Sequence, residues 1–223
     1  MVSVTVVHTI NVEVVLMSSG RLNGRRVAFL ATDGVEESEF AKPWEAVTGA
    51  GATAELVSLK AGEIESETHD QKGRKFKVDK LVADASAGDY DALVLPGGVK
   101  NPDKLRTDPR AVAFVKAFMD ADKPVAAICH GPWMLVEADA VRGRTLTSWP
   151  SLHTDITNAG GDWVDRMVIS DQRLVTSRNP GDLPAFCDAL IEDIASSISE
   201  RTLDRTIEQS FPASDPGPSP SSI

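Results

Sequence analysis

This 223-residue chain is sparing in several ways, and each scarcity removes a class of protein. It has only two cysteines, Cys129 and Cys187, in no zinc-like or CxxC spacing, so neither a disulfide scaffold nor a structural zinc site is expected. Basic residues are outnumbered, 23 Lys and Arg against 33 Asp and Glu, and the net charge of −10 argues against non-specific binding to nucleic acid or to an anionic membrane. No apolar run is long enough to span a bilayer. The first segment is β-branched, but it lacks a basic start and a cleavage site and is interrupted by Asn11 and Glu13. His8, His69 and His153 show no ligand spacing, and no internal repeat is evident. These features predict a cytoplasmic protein with one sizeable core, an extension over residues 1–23, a domain over 24–200 and a flexible Pro/Ser/Gly-rich tail over 201–223.

What is present is an alternation of strand and helix patterns from Arg25 onward, the signature of a mostly parallel, doubly wound α/β sheet covered on both faces. Strands are predicted at Arg26 to Ala31, Thr53 to Ser58, Asp91 to Leu95, Val125 to Ile128 and Thr145 to Ser148. A hairpin is expected around HDQKGR, and a further pair at Met167 to Ser170 and Arg173 to Ser177. Helices are predicted at Glu37 to Thr48, Pro109 to Asp120, Trp133 to Ala138 and Leu183 to Ser197, the last with Cys187 on its core face.

The most informative stretch is PVAAICHGPW, Pro124 to Trp133, which runs a buried strand into a Cys-His pair and a helix start. Such a turn displays a nucleophile, and the helix N-terminus is expected to favour the reactive thiolate of Cys129. Two other strands end near the same sheet edge, one in DGVEE and one in Gly97-Gly98. A carboxylate there can move a proton, and glycine amides can approach an oxyanion closely. On pattern alone Glu36, Glu37 and Glu39 read equally well as a solvated helix start, and Gly97-Gly98 as an ordinary turn. His130 need not turn toward Cys129, because adjacent side chains usually diverge.

The motifs FLATDGVEESEFAKP, DALVLPGGVKNPDKLR, KPVAAICHGPWML, RGRTLTSWPSLHTDITNAGGDWVD and LVTSRNPGDLPAF, taken together, resemble the PfpI-type intracellular cysteine peptidases and protein deglycases, the superfamily of the parkinsonism-associated deglycase. The resemblance covers about Arg25 to Ser197. It implies a flavodoxin-like three-layer sandwich of the class I glutamine amidotransferase type, a homodimer or hexamer, and a nucleophilic Cys129 hydrogen-bonded to a glutamate, carried over as Glu36. It further implies a catalytic His130, Asp103 reaching the His of a neighbouring subunit, an oxyanion hole from the amides of Gly98 and His130, and a substrate pocket at Gly97 and Trp149. Trp149 stands where relatives often carry Tyr, so that phenolic hydroxyl is absent. The amidotransferases' late His-x-Glu is also missing, since the matching region reads SRNPGDL.

The expected activity is that of a cysteine-dependent glyoxalase or deglycase acting in stress protection on reactive dicarbonyls or glycated proteins. The alternatives are an intracellular cysteine peptidase and a non-catalytic redox sensor or chaperone. No cofactor and no metal are expected.

Overall fold

The computed structural model describes residues 20–68 and 71–210, with side-chain environments to residue 197. Most of the expected extension and of the tail lies outside the described residues. Among the described residues, twelve strands alternate with six α-helices. The strands are β1 (Arg26–Leu30), β2 (Val35–Glu36), β3 (Thr53–Ser58), β4 (Glu63–Thr68), β5 (Gln71–Lys77), β6 (Lys80–Leu81), β7 (Ala92–Leu95), β8 (Val125–Ile128), β9 (Thr145–Leu146), β10 (Asp162–Trp163), β11 (Val168–Asp171) and β12 (Leu174–Ser177). The helices are α1 (Glu37–Gly49), α2 (Lys100–Leu105), α3 (Pro109–Asp120), α4 (Trp133–Glu137), α5 (His153–Asn158) and α6 (Leu183–Ser210).

Seven strands form the central sheet in the order β11-β12-β8-β7-β1-β3-β6, parallel throughout except for the antiparallel β11. Alternation along each central strand builds two cores. Val27 and Phe29 of β1, Val94 of β7 and Ala126 and Ile128 of β8 face α1 and α6, while Ala28, Leu30, Leu93, Leu95, Val125 and Ala127 face α3 and α4. Both faces are apolar, which is why these strands read as continuous hydrophobic runs. Each fully buried Leu, Val or Phe contributes about 1.5–3 kcal/mol of transfer free energy. Phe29, Phe40 and Trp44 pack as an aromatic cluster, with ring centroids 5.1–5.6 Å apart, and fasten α1 to the sheet.

β4 and β5 form the expected hairpin, and β2 pairs with β4, so a small second sheet carries Glu67 up beside Glu36. Leu22, within the expected extension, is fully buried, and its N–H donates to Ala50 O at 2.9 Å. Pro43 lies in the middle of α1, further in than its chemistry suggested, and cannot donate to the Glu39 carbonyl.

Three expectations are corrected. Thr145 to Ser148 is not a strand of the main sheet: only Thr145–Leu146 pairs, with β10 in a separate ribbon, because Thr147 N–H turns to Thr176 Oγ1 at 3.0 Å. The chain then rises over the sheet edge, and Trp149 N–H donates to Cys129 O at 2.9 Å. The closing helix also runs on to Ser210, well past Ser197. Cys187 is half-buried against the core's edge rather than inside it.

Candidate active site

β1, β7 and β8 lie side by side, so the loops after them meet at one edge. At the end of β8 the backbone turns sharply: Cys129 has φ 61°, a left-handed conformation that costs a non-glycine residue about 1–3 kcal/mol. Bonds on both sides hold it there. Cys129 N–H donates to Ser177 O at 3.0 Å, and Gly131 N–H to Ile128 O at 2.8 Å. Gly131 is required, because a Cβ there would strike the Leu95 carbonyl and approach Ile128 O at 2.9 Å.

Glu39 is the carboxyl beside the Cys129 thiol: a Cβ added at Gly97 would meet both side chains, and each shifts the other's titration. This corrects the assignment of Glu36. Phe40, Pro43 and Val47 form the buried stripe of α1, and Glu39 lies on it with no exposed surface. One oxygen accepts from Gly97 N–H at 3.1 Å, and the other, Oε1, is buried without a hydrogen-bond partner. Gly97 must be glycine, since a Cβ there would run into the Glu39 carboxyl and come within 2.6 Å of Cys129 Cβ. Glu36 instead accepts from Ser38 Oγ at 3.2 Å and faces the cavity in front of the thiol.

Gly98 and His130 lie at the same sheet edge, beside the thiol. Their backbone amides lie beside the Cys129 sulphur and favour its thiolate. Gly98 adopts φ 76°, and a Cβ there would come within 2.8 Å of Glu36 N. His130 does turn toward its neighbour: Nδ1 lies 3.2 Å from Sγ, while Nε2 lies 3.3 Å from Ser151 Oγ. Its ring stacks on Trp149, with centroids 5.9 Å apart, and tilts against Trp133. Asn101, which is not among the expected site residues, is fully buried and ties two of the loops together. Its Oδ1 accepts from Thr32 N–H at 2.8 Å, and its Nδ2 donates to Pro96 O at 2.9 Å and to Gly97 O at 3.2 Å.

Asp103 is not brought to His130 within the chain. It is exposed in the first turn of α2 and lines a different cavity with Arg106 and Thr107. The residue capping that helix is Val99, and no side chain bonds the cap.

Burial governs the electrostatics. It pushes Glu39 up to about 8, aided by the charge of Glu36, so at neutral pH Glu39 is mostly the neutral acid. It also pushes the Cys129 thiol up, with the Glu39 carboxyl adding to the effect, and the two backbone amides only partly offset this. The expected depressed thiol is thus overturned: desolvation outweighs the start of a helix only five residues long. Burial lowers His130 to about 4, which leaves it neutral. Burial also pushes the Cys187 thiol up to about 12.

The thiol opens into a cavity of about 480 Å³ walled by Glu36, Gly98, Val99, His130, Trp149 and Pro180. Among the described residues, no group of His, Cys, Asp and Glu is placed to hold a metal ion, and no helix is long and apolar enough to cross a membrane.

Residues 25–193 match the DJ-1/PfpI family. A Bacillus subtilis protein named putative cysteine protease YraA is 41% identical over 162 residues, covering 73% of this chain and 94% of the relative. Protein/nucleic acid deglycase 2 of Escherichia coli is 41% identical over 167 residues, covering 73% of this chain and 93% of the relative. Among solved structures, a two-domain protein from Anabaena variabilis with DJ-1/ThiJ/PfpI-like and ferritin-like domains superposes with a TM-score of 0.71 at 36% identity, over 75% of this chain and 47% of that one.

Proposed function

The chain belongs to the DJ-1/PfpI family, and on that premise we propose that it is a cysteine-dependent enzyme converting reactive dicarbonyls, free or as early glycation adducts, to hydroxy acids. The observation that carries this reading is the buried Cys129–Glu39 pair with the Gly98 and His130 amides beside the sulphur.

The working form has lost one proton from the pair, as Glu39 ionises near pH 8. The Glu39 carboxylate takes the thiol proton as Cys129 sulphur bonds to the aldehyde carbon, and the Gly98 and His130 amides hold the oxygen that gains charge. That oxygen receives the proton back. Glu39, ionised again, removes the hydrogen of the same carbon and returns it to the neighbouring carbon, while the hydroxyl proton passes to the neighbouring oxygen, so that the first oxygen becomes the thioester carbonyl, the second a hydroxyl, and the oxidation level moves along the chain without an external oxidant. The product is a thioester on Cys129. Water, deprotonated by neutral His130, hydrolyses it, and the sulphur leaves as the hydroxy acid is released.

Peptide hydrolysis is the second reading. It is favoured by a larger open cavity of about 760 Å³ that continues past Trp149 and Pro180 along the start of α1. Incubating the purified protein with methylglyoxal and, separately, with labelled casein tells the two apart. Lactate formation that depends on Cys129 is expected, and casein cleavage without lactate overturns the first reading.

The expected assembly is a homodimer or higher oligomer in which Asp103 of one protomer reaches His130 of its partner. The exposure of Asp103 on α2 supports this proposal.

A further inference from the structure

We infer that Glu36 is a specificity residue that selects substrates carrying a cationic group, such as an ammonium or guanidinium, next to the reacting carbonyl. The inference rests on the reading of the Cys129 cavity as a site of carbonyl chemistry.

The two cavities that meet at Trp149 contain several acidic side chains, and most are already neutralised. Glu37 is held by Arg74 at 2.8 Å, Glu45 by Lys42 at 2.9 Å and Glu67 by Lys100 at 2.8 Å. Glu39 is neutral at pH 7 because of its burial. Glu36 differs from all of these. It faces both cavities, and its side-chain bond is with the Ser38 hydroxyl; no described cation pairs with it. It is half-buried, and a charge so placed is screened less than one in open solvent. Trp149, 40% exposed, lines the same two cavities and offers an aromatic face, the second partner a cation prefers. The position of Glu36 follows from the fold: β2 pairs with β4, and Glu36 N–H reaches Gly97 O at 3.4 Å, so the residue is fixed at the mouth while Glu39, three residues on, turns into the core.

A substrate cation seated between Glu36 and Trp149 leaves its carbonyl end free to reach Cys129. Glycated arginine and lysine side chains have this pattern, and free methylglyoxal does not. The charge of Glu36 also helps keep Glu39 protonated, so replacing Glu36 alters the chemistry for every substrate. A ratio between two substrates removes that shared effect.

The test compares kcat/KM for 4-(trimethylammoniomethyl)phenylglyoxal and its neutral carbon isostere, 4-neopentylphenylglyoxal, in the wild type and in Glu36→Gln and Glu36→Lys. The wild type is expected to prefer the cationic substrate, less so as salt rises. Glu36→Gln lowers the preference about tenfold, the loss of one partly desolvated charge contact, and Glu36→Lys lowers it further. A preference that is the same in wild type and Glu36→Gln overturns the inference. Turnover of neither compound overturns the carbonyl reading instead. Glu36 is then judged by whether benzyltrimethylammonium protects Cys129 from iodoacetamide in the wild type but not in Glu36→Gln, and absence of protection in the wild type refutes it.

Discussion

Replacing Glu39 by Gln should stabilise the folded protein, and by an amount that grows with pH. The wild-type carboxyl is fully buried and titrates near 8, against 4.5 for an ordinary glutamate. Between those values the folded state holds a proton that the unfolded chain has released, so stability falls as pH rises through the window. Linkage puts the cost at about 1 kcal/mol at pH 5 and about 3 kcal/mol at pH 7. Gln keeps the shape and still accepts from Gly97 N–H, but it has no proton to lose. The stability difference between variant and wild type should therefore widen by about 2 kcal/mol from pH 5 to pH 7. His130 also titrates abnormally, but it is present in both proteins and cancels. Urea unfolding followed by tryptophan fluorescence at pH 5, 6, 7 and 8 measures the gap. Parallel stability curves would refute the assignment of Glu39 as a buried neutral acid.

The rate of dicarbonyl conversion should rise with pH through an apparent value near 8, as the Glu39–Cys129 pair loses its proton, and a kcat/KM profile flat from pH 6 to 9 would contradict this. Gly98→Ala places a side chain at φ 76° and within 2.8 Å of Glu36 N; it should destabilise the fold by about 1–3 kcal/mol and cut turnover about a hundredfold by displacing an oxyanion donor, as denaturation and steady-state assays would show. If the site is shared between protomers, Cys129→Ala and Asp103→Ala should each be nearly inactive, while subunit exchange between them restores about a quarter of wild-type activity through mixed dimers with one intact site. No recovery after verified exchange would confine Asp103 to its own chain.

The sheet was legible because its central strands are buried on both faces. VAFL, ALVL and VAAI can hardly be anything else, and α/β alternation then fixes which loops share an edge. Cys129, His130 and Gly98 followed from that placement. The carboxylate did not, because DGVEESE offers three glutamates within four residues and the resemblance was laid on the first of them. A physical signal was available: Glu39 falls in register with Phe40, Pro43 and Val47, the residues α1 buries, whereas Glu36 precedes the helix. Asn101 was invisible because its value lies in joining two loops distant in sequence. The thiol's direction is not legible in the sequence, because the helix terminus is visible there and desolvation, which outweighs it, arises only from the packed structure.

The central claim, that Glu39 moves the proton for Cys129, is tested most directly by lactate formation from methylglyoxal in Glu39→Gln, alongside alkylation of its Cys129 by iodoacetamide to establish that the thiol stays accessible. Turnover below about a hundredth of wild type, with Cys129 still alkylated, is the predicted result, since a placed acid–base group contributes about 10²–10⁴ in rate. A Glu39→Gln enzyme as active as the wild type would contradict the account.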